Sequence, residues 1–153
     1  MGWPDTVPLH AFVNGPISGT GPLRPSWCYG TPGIGRALQL AALARGNEAA
    51  RQFAEQVVLG SITDPLQLAQ IRDATLCHGL AGLLLTCDRV ASDAVSPAIA
   101  KELPALRARL DAHLVQHDIP KDAGLLTGRA GVLLALHTLN APSPFRAGRP
   151  ALF

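Results

Sequence analysis

The chain has 153 residues, of which 48% are hydrophobic and 16% charged, with a formal net charge of +2 at pH 7. This size and apolar content suit one domain with its own core and argue against a disordered chain. Its lysines and arginines form no block, so nucleic acid, which usually binds a clustered basic patch, is not an expected partner. The longest apolar run, residues 79–87, is far shorter than the roughly 20 residues of a membrane span, so none is expected.

The N-terminus and the cysteines both favour a cytoplasmic protein. The first residues, MGWPDTVPLH, have neither the charged region nor the apolar region of a secretory signal peptide. Three cysteines are too few, and odd in number, for a disulfide framework. We therefore expect reduced thiols in the cytoplasm, where they are available to a metal ion.

The chain begins with a predicted irregular segment and continues as helical repeats. Residues 1–26 are rich in proline and glycine, which is typical of a long irregular segment. A Gly-x-x-Gly pair then opens an apolar run three times, and its first glycines, Gly30, Gly79 and Gly128, are 49 residues apart in both steps. Each run is rich in alanine and leucine, which favours helix over strand. These helices are apolar on most sides, so we expect them to be buried.

More amphipathic helices are predicted between the apolar ones. Asn47 is a plausible N-cap for the first of them, and Gly60 is its expected end. An Asp-Pro pair at residues 64–65 is expected to open a second helix with the sequence LQLAQIRDA. A Ser-Pro pair precedes a third, AIAKELPALRARLDAHL, which Pro104 is expected to kink or split.

The alternation of apolar and amphipathic helices predicts an all-α fold of helical hairpins, with the apolar helices inside. We expect the paired glycines to let crowded inner helices approach each other, because they lack side chains in the first turn. The spacing leaves open whether the stack is an open solenoid or a closed toroid. Residues 1–153 form a single predicted unit, with the helical repeats over residues 27–139 and a frayed tail over residues 140–153.

Two cysteines occupy the same position in consecutive repeats. Cys28 and Cys77 each lie two residues before the first glycine of their repeat, whereas the third repeat has Leu126 there. If the inner helices are parallel neighbours, both thiols project from the same end, and His78 adds an imidazole. Two thiols and one imidazole at helix N-termini suit Zn²⁺, with the fourth position left to water or substrate. The alternative is two small buried residues beside a hydrogen-bonded histidine.

Three motifs, SWCYGTPG, LCHGLAG and GLLTGRAGVLLAL, make the sequence resemble the C-terminal half of the lanthionine synthetase C-like proteins. This family includes cyclases that form the thioether rings of lanthipeptide antibiotics. The resemblance covers about residues 3–139 and implies an α/α toroid, of which this chain is an incomplete part. It also implies a zinc ion held by Cys28, Cys77 and His78, and a catalytic arginine at Arg24, four residues before the first zinc cysteine.

The resemblance implies addition of a peptide cysteine thiol to dehydroalanine or dehydrobutyrine. The expected partners are a dehydrated precursor peptide and either a dehydratase or the missing N-terminal half, which no segment here matches. We therefore expect an apolar open edge, self-association or a partner at that edge, and little activity from the isolated chain. Two alternatives remain open, namely a binding module for a thiol such as glutathione and a helical scaffold with a structural zinc or no metal.

Overall fold

The computed structural model describes residues 24–141 and, before them, two helical residues, Leu9 and Val13. Six helices lie within residues 24–141: α1 (Thr31–Ala44), α2 (Glu48–Thr63), α3 (Pro65–Leu68), α4 (Leu80–Ser92), α5 (Ala98–His117) and α6 (Arg129–Asn140). This part of the chain contains no strand, as predicted. None of its helices combines the length and the hydropathy that a bilayer-spanning helix needs.

The inner helices follow the 49-residue repeat of the sequence. Helices α1, α4 and α6 begin at Thr31, Leu80 and Arg129, so each starts one residue after the first glycine of its repeat. Helix α4 packs between α1 and α6, while α2 packs against α1 and α5 packs against α4. The apolar helices therefore form an inner layer with the amphipathic helices outside it, which confirms the predicted arrangement.

The core is centred on α4, the inner helix with neighbours on both sides. Leu83 of α4 and Leu110 of α5 are completely buried, together with Val58 of α2 and Val132 of α6. Helix α5 buries only one stripe of its surface, whereas most residues of α4 are buried. This difference follows from the sequence and the packing, because α4 has only two charged residues and lies between two inner helices, whereas α5 carries charged residues along its length.

Helix α2 starts where predicted but ends later. The Asn47 side chain accepts a hydrogen bond from the N–H of Ala50 at 3.0 Å and so caps the helix. The helix then continues through Gly60, which is exposed and has no atom within 4 Å of the place where a Cβ would lie. The prediction that Gly60 ends the helix was wrong. The chain leaves the helix only at Asp64, because a residue before proline is disfavoured in the α conformation.

The lengths of the other two amphipathic helices also differ from the predictions. The side chain of Asp64 accepts the N–H of Leu66 at 2.8 Å and starts α3 as predicted, but α3 has only four residues. The chain has turned by Asp73, whose side chain accepts the N–H of Thr75 in a competing local hydrogen bond. Helix α5 is not split at Pro104 and runs unbroken to His117.

The two predicted irregular ends are largely outside the described residues. Leu9 and Val13 are helical, contrary to the prediction of an irregular segment over residues 1–26. No proline occurs between Pro8 and Pro16, so no proline opposes a helical conformation at Leu9 or Val13. The other residues before Arg24, and the tail after Ala141, lie outside the part that the structure describes.

The second glycine of each pair makes a different contact from the predicted one. A Cβ at Gly33, Gly82 or Gly131 would collide with the main-chain carbonyl group six residues earlier in the same repeat. At Gly131 it would also meet a neighbouring repeat, at the side chain of Leu76. The glycines therefore allow each turn to fold back onto the start of its own helix, and at Gly131 the predicted close approach between repeats occurs as well.

Helix α6 forms one edge of the described unit and exposes apolar surface. Four leucines in α6 and the turn before it are about half exposed, namely Leu125, Leu126, Leu133 and Leu134. Among the described helices α6 packs mainly against α4, so its other side has no inner-helix neighbour. This apolar edge is what an incomplete ring of inner helices predicts.

Candidate metal centre

The turns that precede the inner helices are joined by main-chain hydrogen bonds. The Cys28 N–H donates to the carbonyl oxygen of Cys77 at 3.2 Å, and the Cys77 N–H donates to that of Leu126 at 2.8 Å. These three residues share one repeat position, so the bonds hold the turns side by side and in register. Both cysteines consequently lie at the N-terminal ends of neighbouring inner helices, as the repeat predicts.

The thiol of Cys28 lies close enough to that of Cys77 to raise its pKa. Partial burial raises the pKa of the Cys77 thiol, and the hydrogen bond and negative charge of Cys28 raise it further. The positive charge of Arg24 acts in the opposite direction on the same pKa. A thiol whose anionic form is disfavoured by a neighbouring sulfur is a group that a divalent cation can stabilise as the anion.

The imidazole of His78 is held by the turn before α4. Its Nδ1 lies 3.1 Å from Asp73 Oδ2 and 3.3 Å from the Thr75 hydroxyl. Burial alone would raise the pKa of Asp73, but hydrogen bonds from Thr75 and the interaction with His78 bring it below its usual range. An ionised carboxylate only accepts hydrogen bonds, so this contact is one in which Nδ1 can serve as the donor.

Arg24 acts on the Cys77 thiol and has an unused donor. Its positive charge lowers the pKa of Cys77, in opposition to the larger effects of burial and of Cys28. Its Nε is buried and has no hydrogen-bond partner among residues 24–141. A buried donor without a partner is costly, so this group is suited to pair with a negatively charged ligand.

The residues fit zinc in their donor chemistry, although the structure does not gather all three ligands. Within residues 24–141 no three histidine, cysteine or acidic side chains come together as a metal site. The structure thus brings Cys28 and Cys77 together, while His78 is the adjacent residue with Nδ1 held by a carboxylate. Two thiols, and an imidazole anchored through its other nitrogen, are a set that zinc sites use.

Asp73 is the polar residue of the site that the sequence analysis missed. It lies 49 residues after Arg24 and 49 before Asp122, so these three residues share one repeat position. The sequence signal that could have identified Asp73 is therefore the 49-residue repeat, once the comparison of repeats includes the position four residues before each cysteine.

The third cysteine is separate from this site and is expected to be unreactive in the folded protein. Cys87 is completely buried in the core, which raises its pKa to about 12 with a smaller contribution from the charge of Asp88. We expect iodoacetamide at mildly alkaline pH to alkylate Cys28 and Cys77 of the metal-free protein and to modify Cys87 only in denaturant. Peptide mass spectrometry distinguishes the three, and modification of Cys87 in the native protein at a similar rate would contradict this prediction.

Comparisons with known proteins identify the family. The family model described as lanthionine synthetase C-like protein matches residues 1–150, whereas no curated protein matches the chain. Among solved structures, nisin cyclase is similar, with a TM-score of 0.70 and 22% sequence identity over 89% of this chain. The same match covers 33% of the nisin cyclase chain, so this chain spans about a third of that protein's length. The likeness shows the fold, in which the described helices are part of an α/α toroid. Because the family model extends over nearly the whole sequence, the chain belongs to the lanthionine synthetase C-like family.

Proposed function

We propose that this chain is the zinc-binding part of a lanthipeptide cyclase, which adds cysteine thiols of a dehydrated precursor peptide to dehydroalanine or dehydrobutyrine. Its membership of the family supports a cyclase-like function. The observation that carries the proposal is the pairing of Cys28 with Cys77 at the same end of α1 and α4. The third repeat has Leu126 at this position, so the fold itself does not require the thiols.

The reaction needs a nucleophilic sulfur at neutral pH. A cysteine thiol has a pKa of about 8.5 and is mostly protonated there, so it must be activated before it attacks a β-carbon. The ligands would be Cys28, Cys77 and His78, and zinc held by them supplies a positive charge that lowers the pKa of a peptide thiol. The addition breaks the S–H bond of the thiol and the π bond of the dehydro residue, and it forms an S–C bond at the β-carbon and a C–H bond at the α-carbon, so the peptide gains and loses no atoms.

Arg24 is the residue proposed to stabilise the charge that develops during the attack. Breaking the π bond moves negative charge onto the carbonyl oxygen of the dehydro residue, as an enolate. A preorganised donor near that oxygen lowers the barrier because it pairs with charge that is larger in the transition state. The effect of the Arg24 charge on the Cys77 thiol and the unpaired, buried Nε of Arg24 support this role.

The complete cyclase is proposed to include further repeats that cover the α6 edge. The four half-exposed leucines there form an apolar surface that a further inner helix would bury. This chain spans 33% of nisin cyclase, which leaves room for such repeats in a protein of that kind. We propose that the N-terminal half of a cyclase supplies them, and that the isolated chain self-associates through the same edge when that half is absent.

Metal analysis of the purified chain tests the proposal. We expect one zinc ion per chain, and we expect cyclisation of a dehydrated precursor peptide only when the N-terminal half of a cyclase is added. Because the addition leaves the peptide mass unchanged, ring formation is detected as loss of alkylation by iodoacetamide.

Other results would point to other functions. A chain that binds no zinc would contradict the proposed site. Cobalt substitution separates the remaining cases, because a thiol that enters the fourth position changes the visible spectrum. Glutathione binding without cyclisation in the presence of the N-terminal half would favour a thiol-binding module. A spectrum that does not respond to any thiol would favour a structural metal.

A further inference from the structure

Asp73 connects the start of α4 with the imidazole beside Cys77. Its Oδ1 accepts the Thr75 N–H at 2.7 Å, while its Oδ2 lies 3.1 Å from Nδ1 of His78. Its main-chain carbonyl accepts the N–H of Leu80, the first residue of α4, at 3.0 Å. Each carboxylate oxygen thus has its own hydrogen-bonding neighbour, and one of these neighbours is the histidine ring.

We propose that Asp73 is a positioning residue that fixes the orientation and the tautomer of His78, so that Nε2 is the nitrogen offered to zinc. This inference rests on the proposed zinc site. The Thr75 hydroxyl is a longer contact at 3.3 Å and is uncharged, so the carboxylate determines where the ring proton lies. With the proton on Nδ1, the lone pair of the neutral ring is on Nε2, which is the form that binds a metal. Removal of a carboxylate that hydrogen-bonds a metal-binding histidine typically weakens metal affinity about 10–100-fold.

The third repeat offers a matched comparison within the same chain. Asp122 shares the repeat position of Asp73, and its carbonyl accepts the Arg129 N–H at 2.7 Å at the start of α6. The position of His78, however, is held by Thr127 in that repeat. In both turns the aspartate carbonyl therefore accepts a hydrogen bond from the first residue of the following helix. Of the two aspartates, Asp73 is the one whose side chain contacts an imidazole.

The Asp73→Asn variant separates the two roles of this side chain, namely the hydrogen bond with the Thr75 N–H and the contact with His78. An amide has one oxygen, so it can accept from the Thr75 N–H or from Nδ1 of His78, but not from both. If the turn is kept, the amide NH₂ faces Nδ1 and favours the tautomer with the proton on Nε2. We expect the dissociation constant for Zn²⁺, measured by competition with a chromophoric chelator, to rise about 10–100-fold. Asp122→Asn is expected to leave it unchanged.

The tautomer itself is measured in the metal-free protein. Nitrogen-15 NMR of histidine-labelled protein, at a pH where the ring is neutral, is expected to show the proton of His78 on Nδ1 in the wild-type chain and in Asp122→Asn. In Asp73→Asn the proton is expected to move to Nε2. The His78 signals are identified by their loss in His78→Gln.

Two results would overturn the inference, namely a wild-type His78 with its proton on Nε2 and an Asp73→Asn variant with wild-type zinc affinity. The first does not depend on any aspartate variant, so it remains decisive even if Asp73→Asn folds poorly. A wild-type chain that binds no zinc would count against the proposed function, and the tautomer measurement would still decide whether Asp73 positions His78.

Discussion

Replacement of Cys28 or of Cys77 by alanine is expected to lower the zinc content of the dialysed chain from one ion to none. Each cysteine supplies one of three proposed protein ligands. Zinc sites in small domains bind with about 10–16 kcal/mol, so the loss of one of three ligands costs roughly 5 kcal/mol, or about 10³–10⁴ in affinity. Elemental analysis of the purified variants measures the stoichiometry directly.

The chain provides its own control for this experiment. Cys87 is buried in the core and lies ten residues after Cys77 inside α4, so Cys87→Ala removes a thiol without touching the site. We expect that variant to keep one zinc ion, although the small cavity lowers its stability. Retention of one zinc per chain in a Cys28→Ala, Cys77→Ala double variant would show that the ligands are elsewhere.

Gly82→Ala is expected to lower the free energy of unfolding by about 3 kcal/mol, because the added Cβ would overlap the main-chain carbonyl of Leu76. That carbonyl belongs to the turn carrying Cys77 and His78, so the backbone cannot move away without disturbing the site. Gly60→Ala is the matched variant, since Gly60 lies inside α2 with no neighbour near its missing Cβ.

The two glycine variants should change stability in opposite directions. Alanine is a better helix former than glycine, and Gly60→Ala is therefore expected to stabilise the chain by about 0.5–1 kcal/mol. Urea unfolding followed by circular dichroism at the helical band measures both changes. A destabilised Gly60→Ala, or a Gly82→Ala variant as stable as the wild type, would contradict the contacts described here.

The shared position of Cys28 and Cys77 could be predicted from the sequence, whereas the environment of His78 could not. The repeat places Cys28 and Cys77 at equivalent positions, and the Cys28–Cys77 main-chain hydrogen bond confirms this equivalence. The repeat marks the position of Asp73 as well, but it does not predict the contact with His78, because that contact depends on side-chain rotamers within a single turn.

By itself the sequence determined the helical class, the 49-residue repeat, the alternation of inner and outer helices and the pairing of two cysteines. These features are periodic, so each is supported by many residues, and a wrong assignment at one position does not change the prediction. The tertiary structure alone decided that α2 continues past Gly60, that the paired glycines accommodate the carbonyl groups of their own turns, and that Asp73 holds His78. Each of these depends on whether two particular groups come within contact distance, and such distances are determined only when the backbone is folded.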